Sequence, residues 1–282
     1  MSADNTNNIK TLLRRFCQLY GEGGVSVLRA PARINILGEH VDYVSYLPTV
    51  SLAFGSHEHA MTMIFRPNDD GKVRGVSMNE RFAPFDFSLS RSLKELRTQS
   101  WEEFVFNRPL PAPHWSNYVA GAVSFAQWKF GERIQRGFDF LIDSTIPANS
   151  GASSSSALVV LAGAVIRRAN QVEFNSPELA FDSSQAEWFL GTRGGALDHK
   201  TICEASRWGL ALIEHDKKQT FSGYERFRAR EFRWLTFFTQ PADKGREVML
   251  EYNERAAISR LIIPALLKSW KQESPRRALM WL

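Results

Sequence analysis

Four ionisable side chains, Arg33, Glu39, His40 and Asp42, crowd a turn-rich stretch around Gly38, where burying them is costly unless they pair with each other or bind something. Carboxylates and imidazole in fixed geometry accept from and donate to several hydroxyls at once, so the chemistry this set suits is recognition of a polyol. The same composition also suits a solvated loop with an internal ion pair. A second segment, PANSGASSSSA at Pro147 to Ala157, joins an alternating apolar run to a helical apolar one. Small residues feeding a helix start leave backbone N–H groups unpaired, with the positive end of the helix dipole behind them, and that is a place to hold phosphate. Serine is equally an ordinary helix cap. Asp198 follows Gly194 and Gly195 at an element boundary. A carboxylate there either accepts a hydroxyl proton in phosphoryl transfer or caps the next helix. Glu187 falls inside a helical segment, where it is ordinarily solvated, and a magnesium role requires it to face the serine loop.

The elements that must position these residues follow from periodicity. GFDFLIDSTI, Gly137 to Ile146, alternates as a half-buried strand, and ALVVLAGAVIRRAN, Ala157 to Asn170, reads as a buried helix ending in basic residues. Strand, loop and helix is the order a phosphate cradle needs. No lysine follows the glycine as in a Walker loop, and one glycine stands where a dinucleotide fingerprint has three. Helices are predicted over Asn8 to Tyr20, Trp115 to Phe130 and Ser176 to Leu190, and strands over Val25 to Ala30, within Thr49 to Arg66, over Leu210 to Ile213 and over Phe232 to Phe238. Phe82 to Glu103 carries no clear period. The mixture predicts an α/β or α+β fold.

The 282 residues bury a core sufficient for one large domain or two small ones, and 44% hydrophobic with 23% charged residues is an ordinary globular composition. There is no apolar run of membrane-spanning length, and the polar start MSADNTNNIK lacks a signal core, so the expected location is cytoplasmic. Cys17 and Cys203 fit neither a metal spacing nor a disulfide framework. The net charge of +5 permits an anionic ligand, but the arginines are scattered and form no aromatic-basic stripe of the nucleic-acid-binding kind.

RAPARINILGEHVDY, from Arg29, resembles the first signature of the galactokinase group within the galacto-, homoserine, mevalonate and phosphomevalonate (GHMP) kinase superfamily, approximately R-x-N-L-I-G-E-H-x-D-Y. IPANSGASSSSAL is similar to its phosphate-binding signature, AEWFLGTRGGALDH to its A-E-H-x-F-x-G-x-x-C-G-x-M-D-Q segment, and WSNYVAGAV to the helix preceding the second signature. The four occur in the family's order, and EYNERAAISR extends them weakly to Arg260.

The resemblance implies a two-domain α/β (α+β) kinase fold. It places a ribosomal-protein-S5-domain-2-like N-terminal domain over residues 1–205 and the start of a ferredoxin-like C-terminal domain, incomplete, over 206–282. The implied activity is an ATP- and Mg²⁺-dependent transfer of phosphate to the anomeric hydroxyl of galactose or a related sugar. Asp198 matches the catalytic aspartate and Arg33 the arginine beside it. Glu39, His40, Asp42, Gly195 and Tyr252 match sugar-lining positions. Asn149, Ser150, Gly151, Ala152, Ser153, Ser154, Ser155 and Ser156 match the nucleotide loop, with Ser154, Ser155 and Glu187 toward magnesium. The implied partners are a small sugar and ATP, with neither nucleic acid nor membrane.

Departures accompany the matches. Val44, Ser45 and Tyr46 replace an asparagine and a glycine pair in the sugar loop, Asn149-Ser150 replaces Gly-Ala, and Trp188, Gly194 and His199 replace His, Cys and Gln. Beyond Gly209 only Gly223 and Gly245 occur, well apart, so the family's third, glycine-rich signature has no counterpart and a truncated chain is expected. Two alternatives stand beside the sugar kinase. One is a catalytically silent sugar and ATP sensor. The other is a kinase for another small alcohol, such as mevalonate, which the Asp42-Tyr43 pair disfavours.

Overall fold

The computed structural model describes residues 3–89, 97–147, 150–204, 209–215, 221–228 and 245–273. Helix α1 (Ala3–Tyr20) starts five residues before the periodic segment and stops at Gly21, whose φ of 80° and N–H bond to the Cys17 carbonyl close the last turn. Strand β1 (Ser26–Leu37) runs past the predicted end at Ala30 and straight through Pro31. Its register against β2 (Thr49–Asn68) jumps at that point, from Pro31 opposite Ala60 to Arg33 opposite Gly55. A proline is tolerated where the ladder is already interrupted. The first part of the turn-rich stretch is therefore strand, and Arg33 is a strand residue.

Strands β3 (Lys72–Ser77) and β4 (Phe85–Ser88) follow, the latter inside the segment without a clear period. Helix α2 (Trp101–Asn107) begins at a reciprocal capping box between Ser100 and Glu103. Helix α3 (Ser116–Phe130) ends at Gly131 as predicted. Strand β5 (Gly137–Ser144) leads to α4 (Ser154–Ala169), which begins three residues before the expected Ala157, so the last serines belong to the helix rather than to the loop. Helix α5 (Ser176–Glu187), capped by Asn175 with Pro177 in its first turn, gives way to a 3₁₀ turn at Trp188–Leu190 instead of continuing to Leu190 as α-helix. Helix α6 (Leu197–Glu204), strands β6 (Gly209–His215) and β7 (Phe221–Arg228), and helices α7 (Arg246–Ala257) and α8 (Ile263–Glu273), joined by a π turn at Ile258–Ile262, complete the described chain. The predicted strand at Phe232 to Phe238 and the site residue Asn149 lie outside the described residues.

Among the described residues the strands form one mixed sheet in the order β4-β3-β5-β2-β6-β7, with β1 also on β2. Leu52, Ala53 and Met61–Phe65 of β2 pair with β1 and at the same time with β6 or β5, so β1 takes one edge. The other edge is shared, β5 lying along Met61–Asn68 and β6 along Thr49–Ala53. Of the described pairings, β3 with β5 alone is parallel. Side chains alternate between the faces. Met63, Phe65, Phe140 and Ile142 enter the main core with α3 and α4, while Ile64 and Leu141 pack beneath Leu12 and Phe16 of α1. Helix α4 is apolar all round because it lies between the sheet and the outer pair α3 and α5. That places its N-terminus at the end of the sheet where β1 delivers Arg33.

Candidate active site

The residues singled out in the sequence converge around Asp198, in the first turn of α6. Arg33 reaches it from β1. Its Nε and Nη2 lie 2.6 and 2.5 Å from one oxygen, Oδ1. The other oxygen, Oδ2, accepts from Ser153 Oγ at 2.7 Å, with Ser156 Oγ 3.5 Å away. With those partners the carboxylate is engaged by Arg33 and the serine loop rather than capping α6. Burial works against ionisation of Asp198, but the Arg33 guanidinium and the Ser153 hydroxyl outweigh it and hold the carboxyl below the usual range. Arg33 is nearly enclosed while Asp198 keeps 28% of its side chain exposed, so one edge of the carboxylate stays open.

The serine loop is shaped by its own backbone. Ser153 adopts left-handed dihedrals (φ 58°, ψ 41°) at the start of α4 and makes no capping bond to the helix; its hydroxyl is turned to Asp198 instead. Gly151 is left-handed and exposed, and Ser150 donates to the Pro147 carbonyl at 2.7 Å. The Ala152 carbonyl accepts from Arg33 N–H, which ties loop to strand. Ser154 and Ser155 are half-buried in the first turn, whose N–H groups have no acceptor within the helix. Buried Ser156 donates to Glu187 Oε2 at 3.1 Å, and His199 Nε2 approaches the same oxygen at 3.0 Å. Glu187, the last residue of α5, therefore faces the serine segment. Among the described residues no three His, Cys, Asp or Glu side chains converge as a metal cage.

The other wall is the segment after β1. Glu39, 52% exposed, accepts from Asn35 Nδ2 at 2.7 Å and from Arg33 Nη1 at 3.4 Å. His40 is exposed and left-handed (φ 59°), and its ring lies 5.4 Å from that of Tyr252. Tyr43 and Tyr252 meet edge to face, also at 5.4 Å. Asp42 Oδ2 accepts from the Leu197 N–H at 3.0 Å, and any side chain at Gly195 would collide with this carboxylate. Burial pushes the Asp42 carboxyl above its usual range; the Leu197 N–H opposes this and the Asp198 charge adds to it.

Sequence reasoning missed the anchors of this wall. Thr49 donates to the Val41 carbonyl at 3.0 Å, and Ser51 donates to the Gly38 carbonyl at 2.9 Å while lying 3.0 Å from His215 Nε2. Asn253 brackets the Gly191–Gly195 turn, accepting from Arg193 N–H and donating to the Gly191 carbonyl. Asn35 carries a motif signal, as the asparagine of R-x-N. Thr49, Ser51 and Asn253 act through backbone groups and leave no pattern of their own.

A sequence profile described as the GHMP kinases N terminal domain matches residues 117–203, and one described as the galactokinase galactose-binding signature matches 14–47. The chain belongs to the GHMP kinase superfamily. A galactokinase of Chloroflexus aurantiacus is 31% identical over 207 residues, 73% of this chain and 47% of that protein. Galactokinases of Actinobacillus pleuropneumoniae serotype 3 and Dictyostelium discoideum are 29% and 28% identical over 71% and 77% of this chain. Within the superfamily the chain is a galactokinase-like member. It spans about half the length of the curated relatives it matches. The crystal structure of Lactococcus lactis galactokinase complexed with galactose shares the fold, with a TM-score of 0.68 at 24% identity over 89% of this chain and 59% of that one. The Methanococcus jannaschii mevalonate kinase superposes less closely, with a TM-score of 0.50 at 16% identity over 69% of this chain and 55% of that one. No described helix is long and apolar enough to cross a membrane.

Proposed function

We propose that the chain carries the sugar and phosphate half of an ATP-dependent sugar 1-kinase acting on galactose or a sugar of similar hydroxyl pattern. The observation that carries this reading is the Arg33–Asp198 pair, with Ser153 linking its free oxygen to the phosphate loop. Asp198, kept ionised, accepts or polarises the proton of the hydroxyl that attacks the terminal phosphorus. Arg33 holds that carboxylate in place and offsets negative charge gathering on the transferring group. Glu39, His40, Asp42 and Tyr252 with the Gly195 backbone grip the remaining hydroxyls, and the aromatic rings exclude water from one side. The first-turn N–H groups of α4 receive phosphate oxygens. Because the work is positioning plus electrostatics, this set suffices for the sugar side of the reaction.

Magnesium fits the donor set. Glu187 with Ser154 and Ser155 offers only oxygen ligands, and a cation of this kind binds through one or two carboxylates together with substrate phosphates rather than in an all-protein cage. When bound it neutralises phosphate charge. A location in the cytoplasm accords with this reading.

The test is to incubate the chain with ATP, Mg²⁺ and a panel of aldoses and to look for a sugar 1-phosphate by phosphorus NMR. Product that vanishes in Asp198→Asn supports the reading. Turnover unchanged by that substitution refutes the role of Asp198, and sugar-dependent ATP binding without turnover assigns the chain to the silent sensors instead.

A further inference from the structure

Arg260 lies close enough to Asp42 and Tyr252 for its charge to act on both, and it also holds the turn that carries Gly195. It lies on the π turn Ile258–Ile262, a form that occurs mostly as single turns within helices and frequently at functional sites. Its Nη1 donates to the Arg193 carbonyl at 2.8 Å and its Nη2 to the Gly194 carbonyl at 2.9 Å, so one planar fork spans two consecutive peptide oxygens. The Trp188 ring lies 5.3 Å from the guanidinium carbon, and Trp188 Nε1 donates to the same Gly194 oxygen at 3.2 Å. The neighbouring residue, Ser259, offers its carbonyl to Ser45 Oγ at 3.1 Å, fastening the π turn to the loop that follows Asp42.

Trp188 and Gly194 are two of the positions in this segment where the chain departs from its family's pattern, and they meet at this one carbonyl. A glycine pair without side chains has a wide choice of backbone conformations. Here that freedom ends against Asp42, because Gly195 lies so close to its carboxylate that no side chain would fit. We propose that Arg260 is a positioning residue: it clamps the Gly194–Gly195 turn against Asp42, replacing with an external fork the restraint that a side chain at position 194 would give. Applied to sugar recognition, the proposal rests on the kinase reading above. Loosening the clamp displaces Asp42 and Gly195 from the sugar while leaving the serine loop, on the far side of Asp198, where it is.

The experiment compares the wild-type chain with Arg260→Ala and Arg260→Lys. Hydrogen–deuterium exchange of the peptide containing Gly191 to Leu197 is followed without ligand, and KM values for sugar and ATP are measured separately. Both variants are expected to lose protection in that peptide and to raise the sugar KM by about tenfold, the scale of a lost charge-assisted hydrogen bond, with the ATP KM unchanged. Lysine does not rescue, because it cannot span both carbonyls. Unchanged exchange in Arg260→Ala overturns the clamp whether or not sugar is turned over, so this outcome is separate from failure of the kinase reading. A parallel rise in both KM values with a lowered melting temperature also overturns it, since that is general loosening. If the wild type turns over no sugar, the kinase reading fails and exchange alone decides the clamp.

Discussion

Asp198 takes its character from neighbours that oppose its burial. Without the guanidinium, burial alone would raise its pKa, so Arg33→Gln is expected to move the acid limb of the kcat/KM profile to higher pH, with the wild-type limb lying lower. A profile unchanged by that substitution would mean that Asp198 does not set the limb. The same linkage acts on stability. A carboxyl whose folded-state pKa is depressed contributes stability that is present above its unfolded value and is lost as the pH falls through the folded one. Ser153 carries a different tension, since its left-handed backbone costs energy that its hydroxyl bond to Asp198 offsets.

The second wall depends on strand pairing, because Ser51 on β2 meets His215 on β6 across the sheet. Burial, with the Lys200 charge adding, lowers the His215 pKa to about 4 from 6.5. The ring is therefore neutral at pH 7, and with Ser51 donating to the Gly38 carbonyl it is the Nε2–H tautomer that faces Ser51. Stability present above pH 6.5 is lost as the pH falls toward 4, by roughly 3 kcal/mol in all. Urea unfolding at pH 7 and pH 4.5 should show this loss in the wild type and a smaller one in His215→Gln; equal losses would exclude the ring as the source. Helix contacts are as strict. Gly121 of α3 faces the Ala186 carbonyl of α5 at 2.7 Å for an added Cβ, and Trp101 Nε1 donates to the Gln185 carbonyl nearby. Gly121→Val is expected to cost ~1–3 kcal/mol by pushing apart the helices that deliver Glu187, measurable as a lower urea midpoint.

The signals that sequence carried and those it lacked divide by range. The serine loop, Arg33 and Asp198 stand in motifs, and the strand and helix on either side of the loop have clean periods, so their order along the chain was legible. The meeting of Arg33 with Asp198 was legible through the family resemblance alone and that of Ser153 with Asp198 not at all, because they reach the carboxylate across 165 and 45 residues of chain. β1 was cut short at Ala30 because Pro31 and the charged residues after it mimic a turn, whereas a register jump accommodates the proline within the strand. Thr49, Ser51, Asn253 and Arg260 hold backbone atoms, and a backbone atom imposes no residue type on its neighbour.

At the scale of the whole molecule the candidate site draws its residues from β1, the ends of α4, α5 and α6, and the distant helix α7, so a ligand held there would tie together parts that sequence separates. A sugar present at about a hundred times its Kd is expected to stabilise the fold by ~2.7 kcal/mol, seen as a rise in melting temperature of several degrees. A panel of aldoses in which none shifts the melting curve would remove the sugar from the site.

The strand with three partners has a further bearing. Since β1 lines one margin of β2 while β5 and β6 divide the other, a residue added or lost within Met61–Phe65 would turn side chains inside out against β1 and β5 at once. A change in length is then tolerated best in the connecting loops, such as the Val44-Ser45-Tyr46 link that follows Asp42. Change in this scaffold is thereby channelled to the loops beside Asp42 and Asp198, where it alters what they hold and leaves the spine untouched.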